Sequence, residues 1–277
     1  MALVGLESAV IWWGTLSGGE LLDDSARPIS YLDRGFLVGE GVFETLVVHS
    51  GVPFAVMRHL ERLERSAAIL HLPALDLGVI KGAIEDVIGA NLSSVGELGR
   101  LRITLTSGAG QPSLLVTFMT QSAWPETTSA ITVPWVRNDR SAIVGAKTTS
   151  YAENVAALAA VQAKGVSEAL LANTRGFLCE GTTSNVFVVV DGQILTPSMG
   201  SGCLPGVTRG LILEWCGAHE AELPYEILET ADEIFLSSST RGVHPVDRLD
   251  DRELLSRPVG TALRTRFADL CSDTVDP

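Results

Sequence analysis

The chain has 277 residues, 46% of them hydrophobic and 19% charged, which is enough for two domains with sizeable cores and unlike a disordered chain. Its formal net charge of −13 disfavours sequence-independent nucleic-acid binding, and its 20 basic residues form no run that would offset the repulsion. The four cysteines, Cys179, Cys203, Cys216 and Cys271, lack C-x-x-C spacing and suggest neither a metal nor a redox pair; without a secretory leader or an apolar run near the ~20 residues of a membrane span, the sequence predicts a soluble cytoplasmic protein.

Val4 to Leu16 alternates loosely and, with Gly18-Gly19 as the turn, reads as a hairpin. Asp33-Arg-Gly35 and Gly39-Glu-Gly41 punctuate a loop around Phe36 and Val38, and on local pattern these glycines need do no more than turn the chain. Val42 to Val48 is β-branched and aromatic, and Ser50-Gly51 turns it into a second strand, Val52 to Val56. Met57 to His71 spaces Leu60, Leu63, Ala67 and Leu70 as a buried helical stripe. Arg58, Arg62 and Arg65 crowd the other side, where Glu61 and Glu64 make a solvated basic face the simplest local reading. Asp76 to Leu92 is a second amphipathic helix. Leu101 to Thr106 and Leu114 to Met119 are strands around a turn; Arg102 is either a surface ladder residue or a carboxylate binder. Met119 to Thr128 is polar and contains Pro125, which predicts an N-terminal domain at 1–118, a linker at 119–128 and a C-terminal domain at 129–277.

In the second half, Ala130 to Trp135 is strand-like and Tyr151 to Lys164 reads as a helix stopped by Gly165. Glu168 to Asn173, Val186 to Val190 and Gln193 to Leu195 read as strands, the last two joined by the tight-hairpin signal Asp191-Gly192. The glycines at 200, 202 and 206 have the wrong spacing for a dinucleotide loop. Ile234 to Leu236 leads into the hydroxyl-rich Ser237 to Thr240, then Arg241; His244 packs or faces solvent rather than catalyses. Pro258 to Cys271 is a closing helix with Leu263, Phe267 and Leu270 on one face.

Three stretches carry chemistry. Lys147, in Gly-Ala-Lys-Thr-Thr-Ser-Tyr151, stands between a polar loop and a helix, where partial desolvation in a crevice favours the neutral amine that Schiff-base formation needs. Glu180, in Cys-Glu-Gly-Thr-Thr-Ser-Asn185, is expected in a turn before an apolar run. Leu-Pro-Gly206-Val207-Thr208-Arg209 opens a helix whose first amides point along the positive end of the dipole, a seat for phosphate. An amine, a carboxylate and a phosphate seat are the three contacts that pyridoxal phosphate needs.

These stretches, with Asp33 to Thr45 and the Arg58-His-Leu-Glu-Arg62-Leu motif, resemble the class IV aminotransferases, a pyridoxal-phosphate family that includes branched-chain and D-amino acid aminotransferases and 4-amino-4-deoxychorismate lyases. The resemblance runs from about Ile29 to about Val246. It implies a two-domain fold-type IV enzyme of the α/β (α+β) class, a smaller N-terminal domain, a larger C-terminal domain with a barrel-like sheet, and a homodimer whose partner reaches each site. It implies that Lys147 bonds the cofactor aldehyde as an imine and moves the substrate proton, and that Glu180 pairs with the ring nitrogen. By the same resemblance Arg62, Ser239 and the Val207 and Thr208 amides seat the phosphate, with Ser238 beside them. Tyr151, or Asn154, touches the cofactor or braces the lysine; otherwise Tyr151 is a helix N-terminal residue with a buried ring. Ser238 or Thr240 lies at the substrate side, and Arg102 and Arg241 are candidates for a substrate carboxylate. Phe43 stands where the D-amino acid enzymes have a tyrosine, and Gln111 to Leu115 lacks their Arg-x-His carboxylate trap. Glu44 is typical of aminotransferases and some lyases, whereas other lyases have a threonine there for proton transfer. The sequence reading is an amino acid aminotransferase acting on an amino acid and a 2-oxo acid, with 4-amino-4-deoxychorismate lyase as the alternative and a catalytically silent cofactor-binding protein as a third.

Overall fold

The computed structural model describes residues 10–23 and 25–277. Contacts divide the chain into two units. The first comprises Met1–Ala123, Ala146–Ser150 and Val275–Pro277; the second comprises Trp124–Gly145 and Tyr151–Thr274. The short segment carrying Lys147 therefore belongs to the first unit, although the chain on both sides of it belongs to the second.

In the first unit the elements are β1 (Ile11–Thr15), β2 (Gly18–Leu22), α1 (Arg34–Val38), β3 (Gly41–His49), β4 (Val52–Pro53), α2 (Val56–Ile69), α3 (Leu77–Val95), β5 (Leu98–Thr106) and β6 (Ser113–Thr120). The sheet order is β2-β1-β6-β5-β3-β4, and every pairing is antiparallel. Along β5 buried and half-buried residues alternate, so Leu101, Ile103 and Leu105 share one face. That face joins Leu60 and Leu63 of α2 and Ile80 and Val87 of α3 in a single core. Asp76 starts α3 by accepting from the amides of Gly78 and Val79.

Two local expectations are corrected here. Of the first hairpin, residues 4–9 lie outside the described residues; in the remainder the turn is Leu16–Ser17, and Gly18 and Gly19 pair with Thr15 and Gly14 inside the ladder. Gly19 serves close approach, since a Cβ there would come within 2.6 Å of the Trp12 ring, whereas Gly18 takes a φ of 139° that favours glycine. The strand expected through Val56 ends at Pro53, because Ala55 turns left-handed (φ 56°) and Val56 opens α2. The Ser50-Gly51 turn is as read, with φ of 47° and 82°, the signature of a type I′ hairpin.

The second unit contains β7 (Thr128–Arg137), α4 (Ala152–Gln162), β8 (Glu168–Asn173), β9 (Leu178–Gly181), β10 (Asn185–Val190), β11 (Gln193–Pro197), a 3₁₀ turn (Met199–Ser201), α5 (Val207–Cys216), β12 (His219–Ala221), α6 (Ile227–Thr230), β13 (Glu233–Ser238), β14 (Gly242–Leu249), β15 (Arg252–Glu253) and α7 (Pro258–Asp273). Its nine strands run β12-β11-β10-β13-β14-β7-β8-β9, with β15 on β14. The β11/β12, β14/β7 and β7/β8 pairings are parallel. Glu180 is in β9 rather than in a turn, paired with Leu171 of β8. The segment after Arg241 is a full strand despite Pro245, whose missing N–H falls before the β7 pairing begins at Val246. Inward residues of β8, β10, β13 and β14, among them Leu170, Val186, Val188, Leu236 and Val246, form one core of the unit. No helix among the described residues is long and apolar enough to cross a membrane.

Leu101 is fully buried in the first core. Leu101→Ala is expected to destabilise the protein by about 2–5 kcal/mol through lost transfer energy and a residual cavity. Val155→Ala, at a position 59% exposed, should stay within about 0.5 kcal/mol. Urea denaturation followed by circular dichroism compares the two.

Candidate active site

In the first unit the Lys147 backbone is held on both sides. Its carbonyl accepts from the Phe43 amide at 2.9 Å, its own amide donates to Ser66 Oγ at 3.0 Å, and the Thr149 amide reaches the Gly41 carbonyl at 2.8 Å. Val42 and Thr148 bridge between these bonds, so the lysine segment runs as a short antiparallel edge on β3. Lys147 Nζ lies 4.5 Å from the centroid of the Phe43 ring, and Arg102 Cζ lies 3.8 Å from the same centroid. Arg102 Nε also donates to Thr104 Oγ1 at 3.2 Å.

Arg62 does not lie on a solvated face. His59 and Arg62, one turn apart on α2, both point inward and are 1% and 3% exposed. They meet Glu44 of β3, itself fully buried. Arg62 donates through Nε to Glu44 Oε1 at 2.7 Å and through Nη2 to Oε2 at 2.6 Å; His59 Nδ1 lies 2.7 Å from Oε2. Burial alone would raise the Glu44 carboxyl, but the Arg62 charge and hydrogen bonds, reinforced by His59, override it and hold it at about 2. Burial pushes His59 down; Glu44 opposes this, while the charges of Arg62 and Lys147 add to it.

In the second unit Glu180 is 3% exposed and accepts three hydrogen bonds. Arg137 Nε and Nη2 reach Oε1 at 2.9 and 2.6 Å, and the Leu204 amide reaches Oε2 at 2.9 Å. A carboxylate offers about four acceptor positions, so one remains for a further donor. Although burial disfavours the Arg137 charge, Glu180 overrides it and raises the guanidinium pKa. Arg137 Nη1 continues to Asn154 Oδ1 at 3.2 Å, and Asn154 Nδ2 and Tyr151 OH both donate to the Thr182 carbonyl, at 2.7 and 2.9 Å. Tyr151 thus anchors the Thr182 turn and stands at the N-cap of α4.

Gly206 is the N-cap of α5, and no side chain caps that helix. Val207 and Thr208, both buried, form its first turn. A Cβ at Gly206 would lie 2.0 Å from Asn185 Oδ1, so only glycine fits, while Asn185 Nδ2 holds the Leu204 carbonyl at 2.9 Å. Ser238 ends β13, with Ser239 and Thr240 in the turn into β14. Arg241 is committed elsewhere: its guanidinium lies 4.0 Å from the Trp124 ring centroid and 3.3 Å from Glu168, with His244 at 3.4 Å. Glu168 is a buried hub that also accepts from Thr182, Thr183 and Ser184.

Arg137 and the contact of Glu44 with His59 were not anticipated, although position 44 itself was read as part of the site. Arg137 carries no motif, since it merely ends an apolar strand. Glu44 and His59 are fifteen residues apart, and only the β3–α2 packing brings them together.

Two pH responses follow. The Glu44 carboxyl ionises near 2 in the folded protein against an ordinary 4.5, so its stabilisation is complete above 4.5 and is lost as pH falls through 2. His244 is held at about 4 against an ordinary 6.5, first by burial and then by the Arg241 charge. Because the unfolded chain takes up that proton first, the stability it contributes is complete above 6.5 and declines as pH falls through 4. Melting temperatures taken from pH 8 to pH 4 should fall in wild type, and His244→Leu should shrink the pH-dependent part of the fall.

The chain matches the amino-transferase class IV family over residues 41–249. It is 30% identical to a putative branched-chain-amino-acid aminotransferase of Methanocaldococcus jannaschii, across 91% of this chain and 94% of that one. It is also 30% identical to a bifunctional aminodeoxychorismate lyase / D-amino acid transaminase of Mycobacterium tuberculosis, across 91% and 95%. A solved hypothetical aminotransferase from Mycobacterium tuberculosis, in its PLP-bound form, aligns with a TM-score of 0.84 at 28% identity, covering 95% of this chain and all of that one. With the family match spanning well over half its length, the chain belongs to the class IV aminotransferases, and it is an enzyme of that family.

Proposed function

We propose that this protein is a pyridoxal-phosphate-dependent amino acid aminotransferase, transferring an amino group between an amino acid and a 2-oxo acid, with Lys147 as the residue that bonds the cofactor. The donor set carries this reading: a lysine with its backbone held on both sides, a buried carboxylate with one acceptor position left, and an uncapped helix N-terminus preceded by an obligatory glycine. Pyridoxal phosphate, when bound, supplies an aldehyde that condenses with amines and a ring that takes up an electron pair. Lys147 then serves as the base that moves the substrate Cα proton. Glu180 accepts from the ring nitrogen and keeps that nitrogen protonated. Arg62, Ser239, Ser238 and the first amides of α5 hold the phosphate. Tyr151 acts through the Thr182 turn. Phe43 and Thr240 bound the substrate. Arg102, stacked on the ring that Lys147 also meets, is better suited to a substrate carboxylate than Arg241, which is occupied by Glu168 and Trp124.

Position 44 does not decide between transfer and lyase chemistry, because a glutamate there is shared by aminotransferases and some lyases; where other lyases have a threonine, Glu44 is held ionised between Arg62 and His59. The homodimer and cytoplasmic location belong to the same proposal. A second copy is the natural cover for the exposed apolar run around α1, where Tyr31 is 77%, Phe36 73% and Val38 61% exposed.

Borohydride reduction of the reconstituted protein is expected to leave a pyridoxyl adduct on Lys147, read by peptide mass spectrometry; an adduct-free lysine refutes the assignment. Glu180→Gln should lower turnover by roughly 10²–10⁴ with cofactor still bound. Assays for 2-oxoglutarate-dependent amine transfer, and for 4-aminobenzoate release from 4-amino-4-deoxychorismate, should favour the first; the reverse result makes the enzyme a lyase. Light scattering should give twice the 29.4 kDa chain mass.

A further inference from the structure

The Glu44–Arg62 pair is sealed inside the first unit, at 0% and 3% exposure, and no chemical step above uses the carboxylate. A guanidinium has five N–H donors in a rigid plane. Glu44 takes two of them side-on, through Nε and Nη2, and thereby fixes both the position and the tilt of that plane. His59 Nδ1 contacts Oε2 and keeps the carboxylate from rotating. The edge of the guanidinium formed by Nη1 and the second Nη2 proton is consequently aimed by Glu44, not by the flexible arginine stem. Stability alone is a poor reason to keep such a pair, since a buried ion pair is commonly matched or exceeded by apolar side chains of the same volume. Geometry is the better reason, because the residue before Glu44 is Phe43, whose amide holds the Lys147 carbonyl. Two consecutive residues of β3 therefore fix the lysine backbone and the arginine plane.

We propose that Glu44 is a positioning residue for cofactor binding: it presets the Arg62 guanidinium to receive the phosphate, and β3 thereby sets the spacing between the phosphate donor and the lysine. The proposal rests on the reading of Arg62 as a phosphate ligand. It makes Glu44 matter for the phosphate and not for the rest of the cofactor, which a merely structural role would not do.

The test is absorbance titration of the full-length apoprotein with pyridoxal 5′-phosphate and, separately, with pyridoxal. Glu44→Gln is expected to weaken binding of the phosphorylated form by about 10–100-fold, the usual effect of removing a residue that orients a ligand-binding side chain, and to leave pyridoxal affinity within about twofold. In an Arg62→Ala background, adding Glu44→Gln should cost little more, because the two residues act as one unit. If Glu44→Gln fails to fold, Glu44→Asp keeps the charge but withdraws the carboxylate by one methylene, and should show the same selective loss. An equal loss for both ligands, no loss, or a full additional loss without Arg62 overturns the proposal. If Arg62→Ala leaves the affinity for the phosphorylated form unchanged, Arg62 itself is misassigned and the proposal fails for that separate reason.

Discussion

The first unit is built on the bond between the Phe43 amide and the Lys147 carbonyl, with the Ser66 hydroxyl on the lysine's own amide. These bonds pull a five-residue segment out of the second unit's stretch of chain and fasten it along β3. A lysine side chain has four rotatable carbons and is hard to aim. With the backbone pinned on both sides, only those side-chain torsions remain free to vary. β3 can serve as the fastening edge because its neighbour β5 pairs with it across all nine residues, and α2 and α3 bury the face behind.

The second unit uses the same device with different parts. The Leu204 amide holds one oxygen of Glu180, Asn185 holds the Leu204 carbonyl, and Gly206 is packed so closely on Asn185 that no side chain fits there. The carboxylate and the N-terminus of α5 are therefore spaced by one hydrogen-bonded chain of contacts. Arg137 supports the carboxylate from the other side and is steadied by Asn154. Each unit thus fixes two groups relative to one another: a lysine and an arginine in the first, a carboxylate and a helix terminus in the second.

Much of this was legible in the sequence, for identifiable reasons. Periodicity located α2, α3, β5 and β6 because each presents one apolar face to a core, and the Ser-Gly and Asp-Gly pairs located the tight turns at Ser50-Gly51 and Asp191-Gly192. Periodicity is silent where burial is two-sided. The residues of β9 are all buried, so Glu180 read as part of a turn, and β14 hid behind Pro245. Arg62 was the instructive case. A helix face with three arginines and two glutamates looks solvated, and a local pattern cannot reveal that a carboxylate from β3 arrives beneath one of the arginines. Arg137 escaped for the same reason, since its partner lies 43 residues on.

Three of the buried carboxylates, Glu44, Glu168 and Glu180, are fully or almost fully removed from water and each faces a guanidinium. Desolvating both members of such a pair costs about as much as their attraction returns, so these contacts are not what keeps the chain folded. That work falls to the apolar cores, in which each fully buried Leu, Ile or Phe contributes on the order of 1.5–3 kcal/mol. The ion pairs instead make alternatives expensive. Once a carboxylate is buried, rotating its arginine away leaves an uncompensated charge, which costs on the order of 3–5 kcal/mol. A loosely packed arginine would sample many orientations, whereas one opposite a sealed carboxylate samples one. The apolar cores therefore supply stability, and the buried pairs convert some of it into the fixed spacing that a reaction at a single carbon requires.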